Sequence, residues 1–120
     1  MQTEECETGF LLSEVPLGDG ALDLPRMVET IRRAKPDVRF SLEMILRDPL
    51  EVPCLTDRYW ATFPDVNGRD LARAWSRIRD RRTRAPLPRI SGLTPEQRLA
   101  LEHECVDRSI RYAREHLGLA

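Results

Sequence analysis

An α/β fold is what this chain predicts, and two neighbouring elements carry the expectation. Residues 24–34 repeat Leu24, Met27, Val28 and Ile31 at i, i+3, i+4 and i+7, the stripe of an amphipathic helix. Residues 38–45, VRFSLEMI, then set Val38, Phe40, Leu42 and Met44 against Arg39, Ser41 and Glu43, the two-residue period of a strand. A helix followed within a few residues by a strand is the half-unit from which α/β folds are built.

The elements can be justified in order. Residues 1–22 read as extended chain or loop, with a short strand in GFLLSEV (9–15) ended by Pro16 and the Gly18-Asp19-Gly20 turn. Asp23 is a good N-cap for the first helix and Pro25 suits its first turn. Lys35-Pro36-Asp37 stops that helix, because proline lacks the amide donor and restricts the residue before it. After the 38–45 strand, RDPLEVPCL (47–55) holds two prolines and reads as an ordered loop. Thr56 could cap a helical turn through Tyr59 and Trp60. A further helix begins near Asn67 to Asp70, with Leu71, Ala74, Trp75 and Ile78 as its apolar stripe. Residues 83–93 read as a linker, with two prolines and a glycine among few apolar positions. The last helix, 94–117, has a capping-box start in Thr94, Pro95 and Gln97 and a stop at Gly118. Its apolar face is expected to run through Leu99, Val106, Ile110, Ala113 and Leu117.

Composition narrows the function classes. A chain of 120 residues is one domain or less, and 41% hydrophobic with 32% charged residues rules out a disordered polar tail. No run of about 18 apolar residues exists, so no membrane partner is expected, and MQTEECETG lacks the basic and apolar regions of a signal peptide. The net charge of −1 hides an acidic start and an Arg-rich stretch from Arg69 to Arg89. Asp70 and Asp80 interrupt that stretch and no stacking aromatics or glycines interleave with it, so a solvated helix face is favoured over a nucleic-acid surface. Cys6, Cys54 and Cys105 are odd in number, widely separated and without a CxxC pair. Reduced thiols in a cytoplasmic protein are the plain expectation.

Glu43 is the first candidate for chemistry. With the apolar side of its strand packed on helices, Arg39, Ser41 and Glu43 point the other way, and Glu43 stands at the strand's C-terminal end. In an eight-stranded barrel that is where active sites lie, and a carboxylate there can bind a divalent cation or move a proton. On periodicity alone, a half-buried antiparallel strand with a wet polar side is the plainer reading. Other candidates carry less. His103 and Asp107 at i, i+4 fit a solvated helix face better than a metal site, and the dipole of the last helix explains His116 near its end. Cys54 reads as packed rather than nucleophilic, and Tyr59, Trp60 and Phe63 as anchors of their loop or aromatics over a pocket.

The run VPLGDGALDLPRMVETIRRAKPDVRFSLEMILRDPLEVPCLTDRYWATFPDVNGRDLARA resembles the closing segment of xylose-isomerase-like sugar phosphate isomerases and epimerases. The resemblance covers residues 9 to about 80 of the 120 and rests on three stretches: Gly18-Asp19-Gly20 before a helix, Glu43 within SLEM, and the long RDPLEVPCLTDRYWATFPD. It implies that residues 1–82 are the C-terminal part of a (β/α)8 TIM barrel, with the last strand and its flanking helices, and that 94–117 is an added helix. It implies a divalent metal (manganese, magnesium, cobalt or zinc) held by two glutamates, an aspartate and a histidine. That metal would gather sugar oxygens and stabilise an enediolate-like intermediate.

Glu43 would then be one metal ligand and a proton-transfer group acting on a small sugar or sugar phosphate. Arg47, with Asp48 at the rim, would meet a phosphate or carboxylate of the substrate; a structural pair with Asp48 or Glu51 is the equal alternative. The histidine motif and the other ligands of such enzymes are not in this chain, and the expectation is an incomplete barrel, inactive alone, whose metal is not tightly bound. The competing expectation is a non-catalytic remnant whose exposed helices mediate interaction, including homo-oligomers. A related metal-dependent apurinic endonuclease would need a basic DNA-facing rim, which RDPLEVPCL does not resemble.

Overall fold

The computed structural model describes residues 1–63, 65–83 and 86–119. Its chain order is β1 (Gln2–Cys6), β2 (Gly9–Ser13), α1 (Leu24–Ala34), β3 (Leu50–Val52), α2 (Asp57–Trp60), α3 (Gly68–Arg81) and α4 (Pro95–Leu117). Among the described residues the result is a mixed α/β arrangement of four helices and a three-stranded antiparallel sheet, with no TIM barrel.

The sheet grows from the acidic start of the chain. β1 and β2 form a hairpin across Glu7 and Thr8, with Cys6 opposite Gly9 and Gln2 opposite Ser13. β3 pairs with the other edge of β2, placing Phe10 opposite Val52 and Leu12 opposite Leu50. Residues directly opposite share a face, so Phe10, Leu12, Val52 and Leu50 form one apolar side. Gly9 is required where the sheet meets the next loop. A Cβ there would collide with the Val52 carbonyl oxygen and lie 2.9 Å from the Cys54 nitrogen. RDPLEVPCL therefore holds a strand, where the sequence reads as loop: Pro49 and Pro53 bracket three residues that can still pair with β2.

The expected strand over 38–45 is not part of any ladder. Its apolar residues are not covered by helices either, since Phe40 is 37% and Leu42 40% exposed. Alternation predicts extended backbone, but a strand exists only when another strand takes up its hydrogen bonds. β2 already has β1 on one edge and β3 on the other.

The helices start and stop where local chemistry directs. The Asp23 carboxylate accepts from the Arg26 amide at 3.1 Å and Pro25 sits in the first turn of α1. Asn67 caps α3 by accepting from the Arg69 amide at 2.9 Å. Thr56 does not cap α2 through its side chain; its hydroxyl donates to the Pro53 carbonyl at 2.9 Å. In α4 the capping box closes, with the Gln97 amide on Thr94 and the Thr94 amide on the Gln97 side chain, and left-handed Gly118 (φ 58°) ends the helix.

α4 is rotated relative to the face its sequence suggests. Cys105, Ser109 and Leu117 are buried, while Leu99 is 54% and Ile110 37% exposed. Polar docking sets that angle. The Leu17 amide donates to the Ser109 hydroxyl at 3.1 Å, and Ser109, fully buried, donates on to the Cys105 carbonyl at 2.8 Å. Gly18 (φ 92°) lies against the Tyr112 ring with no room for a Cβ. α4 also packs beside α1, where Arg32 donates to the Leu117 and Gly118 carbonyls at 3.2 and 2.9 Å. A guanidinium there satisfies terminal carbonyls that have no partner within the helix.

Residues 83 and 86–93 have no helix or strand, but they are tied down. The Thr83 amide donates to the Thr3 carbonyl at 3.1 Å, the Leu87 amide to Glu4 at 3.0 Å, and Leu87 is buried. The Ile90 and Ser91 amides share one Asp48 oxygen at 2.6 and 3.0 Å. The basic stretch behaves as a structural face: Arg79 and Arg82 reach Glu5 at 3.4 and 2.8 Å, and Arg81 donates to the Ala21 carbonyl.

Candidate functional site

Glu43 lies on the wall of a cavity of about 200 Å³. The extended 42–44 backbone forms one side, and the turn after β2 the other, with Glu14, Pro16, Gly18 and Gly20. Ser109 of α4 also contributes, through the docking that fixes the turn. Residues about 25 positions apart in the chain, the Gly18-Asp19-Gly20 turn and SLEM, thus meet at one site. Glu43 is exposed, and among the described residues no hydrogen bond or ion pair engages it. Asp19 turns out of the cavity to Arg108 at 2.5 Å.

Glu14 is the acid that sequence reasoning passed over. It follows β2, lines the same cavity as Glu43, and is gripped by both Arg47 nitrogens, Nη2 and, at 3.2 Å, Nε. The Arg47 hydrogen bond holds the Glu14 carboxyl below its ordinary range, against the opposing effect of burial, and Glu14 in turn raises Arg47. Arg47 therefore has a structural partner, but neither of the two expected from the sequence. No local signal could have found this pair, since 33 residues separate its members. Arg47 itself lines a neighbouring hollow of about 210 Å³ that shares Glu14, and not the wall that carries Glu43.

The donor set does not make up the divalent-cation site that the resemblance implies. Two carboxylates line the cavity, and Arg47 already neutralises one of them. Among the described residues no group of three or more His, Cys, Asp or Glu side chains is placed to hold a metal ion. Hard divalent cations take about six or more oxygens, most of which would have to come from elsewhere.

Comparison with known proteins adds no assignment. No family is shown. No family model matches the chain, and no curated protein or solved structure matches it.

His103 and Asp107 are exposed on α4, and the His116 ring packs on Tyr112 at 4.7 Å. Cys54 and Cys105 are buried, and burial pushes both thiols up, away from the thiolate that a nucleophile needs. Tyr59, Trp60 and Phe63 pack on one another with centroids 5.1 to 6.2 Å apart. Trp60 Nε1 donates to the Cys54 carbonyl at 2.9 Å, which ties α2 to the residues before it. No helix among the described residues is long and apolar enough to cross a membrane.

Proposed function

We propose that this chain is the closing portion of a metal-dependent isomerase or epimerase acting on a small sugar or sugar phosphate, with Glu43 as a proton-transfer group. The observation that carries the reading is the meeting of Glu43 with the Gly18-Gly20 turn at one cavity. A carboxylate free of other partners can take a proton from the carbon beside a sugar carbonyl and return it to the neighbouring carbon or the opposite face. Glu14 lines the same cavity, and its pair with Arg47 fixes the start of the 47–55 segment against the end of β2. The metal and the remaining ligands belong, in this reading, to strands that pair with residues 38–45.

The experiment is Glu43→Gln in a protein that carries those strands, scored by solvent deuterium incorporation into a panel of pentoses, hexoses and their phosphates. The expected outcome is loss of exchange by about a hundredfold or more with an unchanged fold. Full exchange in the variant would end the assignment of Glu43. For the 120-residue chain itself, manganese titration should find only weak binding, and a stoichiometric tight ion in a monomer would contradict the claim of an incomplete site.

A second reading keeps the same coordinates without catalysis: a remnant that works by interaction. It is favoured by Met27 and Ile31 on α1, which are 43% and 39% exposed, and by the equally uncovered Phe40 and Leu42. Inactivity of every protein that pairs strands with 38–45 would favour it over the enzyme.

A further inference from the structure

A second cavity, of about 300 Å³, lies between α2 and α3 and is bounded by Phe10 of β2 and Val52 of β3. Tyr59, Trp60 and Phe63 stand on one wall. Phe10 and Trp75, with centroids 6.4 Å apart, stand on the other, and Leu71, Ala74 and Ile78 complete the lining from the apolar stripe of α3. Asp70 is the one charged residue of the lining, its side chain 54% exposed, so it stands where the cavity meets solvent. Among the described residues no Lys or Arg lines it, which is unfavourable for a phosphate or any other anion. The ion partner of Asp70 is Arg73, 3.7 Å away and itself 73% exposed, a pair too wet and too long to occupy the carboxylate. Faces of aromatic rings present negative potential, and rings beside one carboxylate are favourable surroundings for an organic ammonium.

We propose that this cavity binds a small organic cation with an aromatic or branched aliphatic body, its ammonium group held by the aromatic faces and Asp70. The proposal does not rest on the isomerase reading, since the two cavities share no lining residue. The apolar body displaces poorly held water from the space between Phe10, Trp60 and Ile78, and the charge stays at the Asp70 end, where solvent reaches it. Cys54, buried at the base, remains a neutral thiol and contributes packing.

The chain has two tryptophans, and both line this cavity, so intrinsic fluorescence reports on it directly. Benzyltrimethylammonium is the probe, neopentylbenzene its neutral isostere, and benzenesulfonate the anionic control. The cation should change the emission saturably and benzenesulfonate should not. Asp70→Asn should weaken the cation about fivefold and leave neopentylbenzene unaffected. Asp57→Asn, an acid in the first turn of α2 that does not line the cavity, should change neither. Ala74→Leu, which adds bulk to the wall, should abolish binding of both with an unaltered circular-dichroism spectrum. The proposal is overturned by the absence of a saturable signal, by equal binding of the sulfonate, by an Asp70→Asn variant that binds the cation as well as the parent, or by undiminished binding in the Ala74→Leu protein.

Discussion

Glu14 and Arg47 show what a single side chain can settle that no local pattern foretells. The guanidinium lowers the Glu14 pKa, so the ionised carboxylate is favoured by folding. A group with a depressed folded pKa contributes stability above its unfolded value and loses it as pH falls through the folded one. The unfolded value for glutamate is about 4.3, so the contribution is intact at neutral pH and fades in acid below that value. Asp48 follows the same sign, its carboxyl lowered first by the Ile90 amide and then by that of Ser91. Urea unfolding of Glu14→Gln should show a loss of about 0.5–1 kcal/mol at pH 7 that shrinks below pH 4, both partners being partly solvated. An equal loss at pH 3 and pH 7 would mean that charge is not what Glu14 supplies.

Among the elements, those that answer to their own residues were legible in the sequence. α1, α3 and α4 form within about two residues of where caps and apolar spacing place them, because Asp23, Asn67 and the Thr94-Gln97 box act over three or four positions. The strands were harder. β2 was expected, but β1 lacks apolar alternation and pairs because its neighbour across a two-residue loop does. The 38–45 segment has the clearest alternation in the chain and no ladder, since pairing is a property of two strands and periodicity of one. The meeting of Glu43 with Gly18 and Gly20 was not foreseen, since spacing gave no hint of it, nor of Glu14 beside them. The angle of α4 was also hidden, because a serine, not a leucine, sits at its most buried point. Ser109→Ala should therefore cost about 1–3 kcal/mol despite removing a single oxygen, by stranding the Leu17 amide. Thermal unfolding measures it, and a change within about 0.3 kcal/mol would assign the docking of α4 to apolar contact alone.

For the molecule as a whole, the balance of covered and uncovered apolar surface is unusual. Val28, Cys54, Leu87, Cys105 and Leu117 are the buried apolar side chains among the described residues, whereas Phe40, Leu42, Ile45, Met27 and Ile31 are each more than a third exposed. Surface of this kind is normally covered by more protein. Sedimentation over a range of concentrations should show self-association, and Leu42→Lys should shift it toward monomer; a parent that stays monomeric throughout would remove the need for a covering partner. The unladdered segment has a consequence for how labile hydrogens report on this protein. Between two stretches held by their own bonds, α1 and β3, the amides of residues 39–46 find no acceptor among the described residues. In deuterated water they should label at nearly the rate of an unfolded peptide while β2 stays dark. If strands from another chain or copy dock there, the same eight amides should be the first to slow, which makes them a built-in gauge of any such docking.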